Sequence, residues 1–257
     1  VIIYFFIALG AALVGSAAGM GGGVIIKPLM DLAGDYSVNE TVIFSSITVF
    51  SMAIFSTIKQ FDHGFAVTRK ITGITIGAVL GGVLGSLMFA GLKKFAHTEG
   101  ITAIQSIILF LLLMICLVYE RLPHRHLSSM SVQGLVGALL GIFSAFLGIG
   151  GGPINVAVMC VLFNFSLRES ARVSVFIILF SQAAGLITKL FDGSFRGVTD
   201  YHILIFMIPA GIIGGILGAQ LNYHLPSKGM MFIYKLTIIL AMVVCAFNFI
   251  RSMGFAL

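Results

Sequence analysis

The sequence predicts an all-α, polytopic membrane protein of two homologous halves, each a glycine-broken or re-entrant helix followed by three membrane-spanning helices. Three observations lead there. The 257 residues are 59% hydrophobic and only 9% charged, against roughly 25% charged residues in a soluble domain. Apolar runs of about 20 residues, the thickness of a bilayer's hydrocarbon core, recur along the chain. Two glycine clusters, Gly19-Met20-Gly21-Gly22-Gly23 and Gly148-Ile149-Gly150-Gly151-Gly152, interrupt runs that would otherwise read as continuous helices.

Taken in order, the spans fall near Val1–Ala18, Thr41–Ile58, Ile71–Leu92, Ile101–Tyr119, Ser131–Leu147, Ser170–Leu190, His202–Leu221 and Met230–Ile250. The first opens at Val1 already inside an apolar run, so residues preceding it are expected. Val24–Leu32 and Pro153–Phe163 follow the glycine clusters and are too short to cross alone, as half-helices or re-entrant arms would be. Ser37-Val38-Asn39-Glu40 and Ser166-Leu167-Arg168-Glu169 are Ser-x-x-Glu capping boxes, each opening an apolar helix. Gly77-x-x-x-Gly81-x-x-x-Gly85 and Gly211-x-x-Gly214-Gly215-x-x-Gly218 have the small-residue spacing of close helix crossings, with a homodimer face as a further expectation.

The two halves repeat. Gly148 minus Gly19 is 129, and the same offset carries Ser37-Val38-Asn39-Glu40-Thr41 onto Ser166-Leu167-Arg168-Glu169-Ser170. Lys59-Gln60-Phe61-Asp62 is answered by Lys189-Leu190-Phe191-Asp192, and Gly81-Gly82-Val83-Leu84-Gly85 by Gly214-Gly215-Ile216-Leu217-Gly218. Residues 1–120 form the first repeat, 121–130 a linker and 131–257 the second. If each broken element turns back, Lys59, Arg69, Lys70, Arg121, Arg125, Arg168, Arg172, Lys228 and Lys235 share one side. Lys93, Lys94, Lys189, Arg196 and Arg251 then lie on the other, a lopsided split of the kind the positive-inside rule expects. Inverted repeats are therefore favoured over parallel ones.

Several function classes drop out. The net charge of +6 comes from basic residues scattered over loops, without the basic stripe or aromatic platform that nucleic acid requires. Cys116, Cys160 and Cys245 stand singly in apolar segments, which excludes a thiol relay. His63, His97, His124, His126, His202 and His224 form no metal-ligand spacing, and neither cofactor nor metal is expected. No nucleophile–base pair lies within a span, so the chain is not read as an enzyme. Gly19-x-Gly21 lacks the strand or the Gly-Lys-Ser/Thr of a nucleotide site.

What remains is a transport site. A helix broken in lipid frees backbone groups that survive only when buried in protein or lining a polar cavity, and paired breaks in two halves point to a transporter's binding site. Beyond each cluster a helix restarts, and its unpaired N–H groups favour an anion. The candidate contacts are Gly21, Gly22, Gly23, Gly150, Gly151 and Gly152 with Asn155, Ser45, Ser174 and Gln182. Ser144 lies close enough in sequence to add a hydroxyl. Ordinary helix–helix hydrogen bonding and back-bonding to the preceding turn account for most membrane serines and threonines. Lys27, Glu40, Glu169 and Arg172 are candidates for a charge or coupling role; capping explains both glutamates, and interfacial snorkelling explains the two cations.

The repeated Gly-x-Gly-Gly-Gly, each followed by a short arm and a capped helix carrying Glu, resembles the sulfite exporter TauE/SafE family, also called the toluene-sulfonate uptake permeases. The likeness runs through Gly19–Pro28, Ser37–Thr41, Gly148–Pro153 and Ser166–Ser170. It implies a secondary transporter, multi-pass in the cell (inner) membrane, for sulfur-containing anions such as sulfite, sulfoacetate, other organosulfonates or thiosulfate. Alternating access and proton coupling are part of that expectation. A channel-like anion facilitator and a non-transporting membrane assembly factor are the alternatives. Pro28 lies five residues past its cluster whereas Pro153 directly follows the other, so perfect two-fold symmetry is not expected.

Overall fold

The computed structural model describes residues 2–95, 98–121, 123, 127 and 129–252. His97, His124 and His126, with half of the linker, lie outside them. The described residues form α-helices in two successive runs of five. The first run is α1 (Ile2–Ala18), α2 (Gly23–Ala33), α3 (Val38–Asp62), α4 (Arg69–Phe95) and α5 (Thr98–Leu117). The second is α6 (Met130–Leu147), α7 (Gly152–Phe163), α8 (Leu167–Phe191), α9 (His202–His224) and α10 (Ser227–Ser252). Seven of these, all but α1, α2 and α7, are long and apolar enough to cross a bilayer. The chain is a multi-pass integral membrane protein. Ile76, Leu80, Leu84 and Leu87 on α4, with Leu236, Ile239, Leu240 and Val243 on α10, are exposed as a lipid-facing surface would be.

Both capping boxes form. Ser37 Oγ accepts from the Glu40 amide at 3.3 Å while Glu40 Oε2 accepts from the Ser37 amide at 2.9 Å. Ser166 and Glu169 repeat this at 3.3 and 3.0 Å. These reciprocal bonds satisfy amides that a helix start leaves unpaired. The short arms end in left-handed residues, Gly34 at φ 75° and Asn164 at φ 55°.

The glycine stripes work inside the chain. A Cβ on Gly81 would lie 2.0 Å from the Ala138 carbonyl oxygen, and one on Gly85 would lie 2.3 Å from that of Ile142. Helices α4 and α6 therefore run the same way at backbone contact. In the counterpart pair Gly214 meets Leu9 and Gly218 meets Leu13, so α9 lies along α1 in the same sense. Gly82 touches Ser181 of α8, and its counterpart Gly215 touches Met52 of α3. Each of these glycine contacts thus has a partner under exchange of the halves. Helices α3 and α8 are themselves counterparts, and they run in opposite directions. Lys189 near the end of α8 reaches Ser46 near the start of α3, while Phe61 near the end of α3 meets Phe176.

Candidate functional site

The two glycine clusters are chain reversals. In the first, Gly19, Gly21 and Gly22 take φ of 75°, 74° and 59°; in the second, Gly148, Gly150 and Gly151 take 66°, 80° and 70°. The same three places of the repeat thus adopt left-handed conformations that side chains disfavour. After each reversal the chain comes back beside the helix it left. A Cβ on Gly15 would lie 2.0 Å from the Gly22 nitrogen, and one on Gly151 would lie 2.9 Å from Ser144 Cβ. The elements turn back, as a re-entrant arm does.

The two turns then meet each other. A Cβ on Gly23 would stand 2.4 Å from the Ile149 carbonyl oxygen, and one on Gly152 only 1.9 Å from that of Met20. Behind the first turn lies α8, with Ala171 against Gly19 and Ile178 against Gly21; behind the second lies α3, with Val42 against Gly148 and Val49 against Gly150. The turns are in backbone contact rather than parted by a chamber, and all their residues are buried.

Polar groups gather at this contact. Ser174, between Ala171 and Ile178 on α8, donates to the Gly19 carbonyl at 2.6 Å, with the Gly152 carbonyl at 3.4 Å. Ser45 holds the equivalent place on α3, wholly buried, and its hydroxyl has no partner. Asn155, one turn into α7, is 1% exposed, and neither atom of its amide is hydrogen-bonded. Gln182 Nε2 donates to Ser144 Oγ at 2.9 Å, and Ser144 lies 3.4 Å from Ser181 Oγ. The amides of Gly150, Gly151 and Gly152 find no acceptor among the described residues. At the 129 offset, Asn155, Ser144 and Gln182 fall on Ile26, Gly15 and Ala53, so this polar cluster belongs to the second half alone.

The six glycines, Ser45, Ser174 and Asn155 are therefore brought together, with Gln182 one step behind through Ser144. The four charged candidates are elsewhere. Lys27 pairs with Asp31 at 2.5 Å. Glu40 and Glu169 serve their caps, and Glu40 Oε1 also accepts from the Thr199 amide and hydroxyl at 3.0 and 2.7 Å. Arg172 Nε donates to Asn222 Oδ1 at 3.3 Å, and Asn222 donates to the Ala17 carbonyl, lacing α8 and α9 to α1.

One group escaped the sequence reading. Lys189 is 1% exposed, donates to Ser46 Oγ at 3.1 Å, and has no carboxylate within 4.0 Å among the described residues. Its place two helical turns beyond Gln182, on the face of Ser174, Ser181 and Gln182, was a signal for burial that its proximity to the helix end concealed. Lys93 donates nearby to Asn39 Oδ1 and Ser194 Oγ, both at 2.8 Å.

Paired re-entrant arms meeting within a bundle of membrane-crossing helices define a membrane transporter. The chain belongs to the sulfite exporter TauE/SafE family, whose profile matches residues 4–248. It is 22% identical to the "Probable membrane transporter protein YunE" of Bacillus subtilis, covering 93% of this chain and 94% of that one. It is 26% identical to the "Probable membrane transporter protein MJ0441" of Methanocaldococcus jannaschii over 84% of each. With the "Probable membrane transporter protein MamO" of Paramagnetospirillum magneticum it shares 30% identity over 45% of its own length and 18% of that protein's. No solved structure matches it significantly.

Proposed function

We propose that the protein is a secondary transporter of small sulfur-containing anions, sulfite or organosulfonates, which bind where the two glycine turns meet. One observation carries the reading. Buried amides with no acceptor, an Asn155 amide with no partner at all and an unpartnered Ser45 hydroxyl converge on a single place. Leaving each such group unsatisfied costs about 1–3 kcal/mol. An oxyanion would satisfy them together, because its charge is spread over several oxygens that neutral donors can share. Among the described residues a second buried negative charge would meet no fixed cation at the turns, which disfavours dianions such as sulfate relative to monoanions, a sulfonate or hydrogensulfite.

Opposed α3 and α8 support inverted-topology repeats, for which transport proceeds by rocking one bundle against the other. The closed contact of Gly152 on Met20 is then the occluded arrangement, and the turns part to admit and release the anion. Proton coupling accompanies this cycle.

The test is flux in proteoliposomes with labelled sulfite, sulfoacetate, isethionate and thiosulfate. Saturable flux above empty vesicles is expected for at least one of them. Single-channel currents in a bilayer would instead identify a facilitator, and no flux of any probe would remove the transport reading.

A further inference from the structure

The short arm α2 carries a polar site of its own, distinct from the glycine turns in chemistry but on the helix that begins at Gly23. Lys27 and Asp31 pair at 2.5 Å with side chains each 4% exposed. Around them Gln105 and Asn248 use their amide nitrogens on backbone carbonyls, of Phe146 at 2.7 Å and Pro28 at 2.9 Å. Their oxygens, Gln105 Oε1 and Asn248 Oδ1, are buried and have no partner. Both line a small void of about 10 Å³ together with Lys27 and Asp31. Asp31 and Asn248 also line an open cavity of about 290 Å³ at the end of the bundle, so the pair is one step from water.

The duplicated scaffold does not require these charges. At the 129 offset Lys27 and Asp31 fall on Val156 and Cys160 of α7, which occupy the equivalent arm without an ion pair. A buried ion pair is weak as a stabiliser, since well-packed apolar residues do as well or better. A structural role therefore leaves the pair, and the two unpartnered acceptors of residues lining the same void, unexplained.

We propose that Asp31, paired with Lys27 and faced by Gln105 and Asn248, is the proton-binding site that couples transport to a proton gradient; this rests on the transport reading above. A proton from water in the open cavity adds to an Asp31 carboxylate oxygen, forming one O–H bond while the donor water species gives up its own. Lys27 keeps its proton, and the pair passes from net zero to a single positive charge. The new hydroxyl supplies the donor that Asn248 Oδ1 or Gln105 Oε1 lacks, and the released Lys27 ammonium serves the other oxygen. The void has room for about one water, and the Lys27 ammonium already paired with Asp31 disfavours a metal cation there.

Coupling follows from charge. Lys27 lies one helical turn from Gly23, roughly 6 Å along the axis. A net positive charge buried there is costly alone and favourable when an anion occupies the turns. Protonation and anion binding then strengthen each other reciprocally. The charged and titratable groups facing Asp31 are Lys27 on its own helix, Glu99 on α5, Arg251 and Cys245 on α10, and Tyr36 after α2. Arg251 is held by the Leu32 carbonyl at 2.8 Å, and Asp35 is engaged by Tyr4 Oη.

The test uses the full chain in proteoliposomes with labelled isethionate and thiosulfate, whose charges do not change between mildly acidic and mildly alkaline pH. Wild-type accumulation of isethionate is expected to follow an imposed proton gradient, up to about tenfold per pH unit for one proton per anion. Asp31→Asn, and the neutral pair Lys27→Gln/Asp31→Asn in case the single variant misfolds, should lose that accumulation yet still exchange labelled for unlabelled anion. Infrared difference spectra of the purified protein should show a protonated-acid carbonyl band on acidification that Asp31→Asn removes. Undiminished gradient response in both variants overturns the assignment, as does accumulation driven by sodium and not by protons. If the wild type moves no probe, the transport reading falls, and the infrared band alone decides: lost in Asp31→Asn it upholds Asp31 as the proton site, unaffected or absent it overturns it.

Discussion

Replacing Gly152 by alanine places a methyl group 1.9 Å from the Met20 carbonyl oxygen, 2.0 Å from its carbon and 2.2 Å from its Cα. Cβ atoms do not approach heavy atoms closer than 3.0 Å, so the two turns must part by about 1 Å in a close-packed interior. Every obstructing atom is backbone, and no side chain can swing aside. Overpacking of this kind costs about 1–3 kcal/mol, and the backbone obstacle puts Gly152→Ala at the upper end. Gly10 is the control, because a Cβ there meets nothing within 4 Å. Gly10→Ala should be neutral or gain about 0.5–1 kcal/mol from lost backbone freedom. Thermal unfolding in detergent should separate the two variants clearly, and anion flux should fall in Gly152→Ala alone. Gly23→Ala, at 2.4 Å from Ile149, should show a milder form of the same loss. Gly152→Ala unfolding and transporting like Gly10→Ala would refute the claim that the turns meet at backbone contact.

Asn155→Leu breaks no hydrogen bond, since neither amide atom makes one. It should leave stability unchanged or raise it by about 1 kcal/mol while cutting flux at least tenfold; a stability loss with normal flux would make Asn155 structural. Glu40→Gln forfeits charge in a carboxylate that accepts from Ser37 and Thr199, and should destabilise by about 1.5–3 kcal/mol. Glu169→Gln, bonded only to Ser166, should cost less. Neither change should alter the pH dependence of flux, and an altered profile in either would give that glutamate a coupling role. Lys189→Met removes a buried cation with no carboxylate within 4.0 Å among the described residues. It should raise thermal stability by about 1–3 kcal/mol and slow anion flux, whereas a lowered unfolding temperature would show that the Ser46 bond outweighs the burial.

The helices were legible because hydropathy, capping boxes and glycine interruptions agree on the same boundaries. Ser37, Ser166 and the two clusters all stand where the chain changes direction. The 129-residue offset went further, since it matched the three left-handed glycines of each turn before any geometry was known. The pairing of α4 with α6 and α1 with α9 was not legible. A glycine stripe announces a close crossing but says nothing about which helix fills it. The meeting of the two turns with the serines beside them was legible in the repeat, because it depends on backbone. The placement of long charged side chains was not legible, since their Cα positions say little about where the charge ends. Lys189 sits two residues from its helix end and still carries its ammonium inward to Ser46. Lys27 was read singly, although Asp31 follows it at the i, i+4 spacing that places both on one face.

The most direct measurement is anomalous diffraction from crystals soaked in selenite, a heavier stand-in for sulfite whose position is unambiguous. A selenium peak within hydrogen-bonding distance of the Asn155 amide and the Gly151 backbone nitrogen is the predicted result. A peak elsewhere, such as beside Lys189, with the glycine turns still in contact and Asn155 unoccupied, would contradict the account.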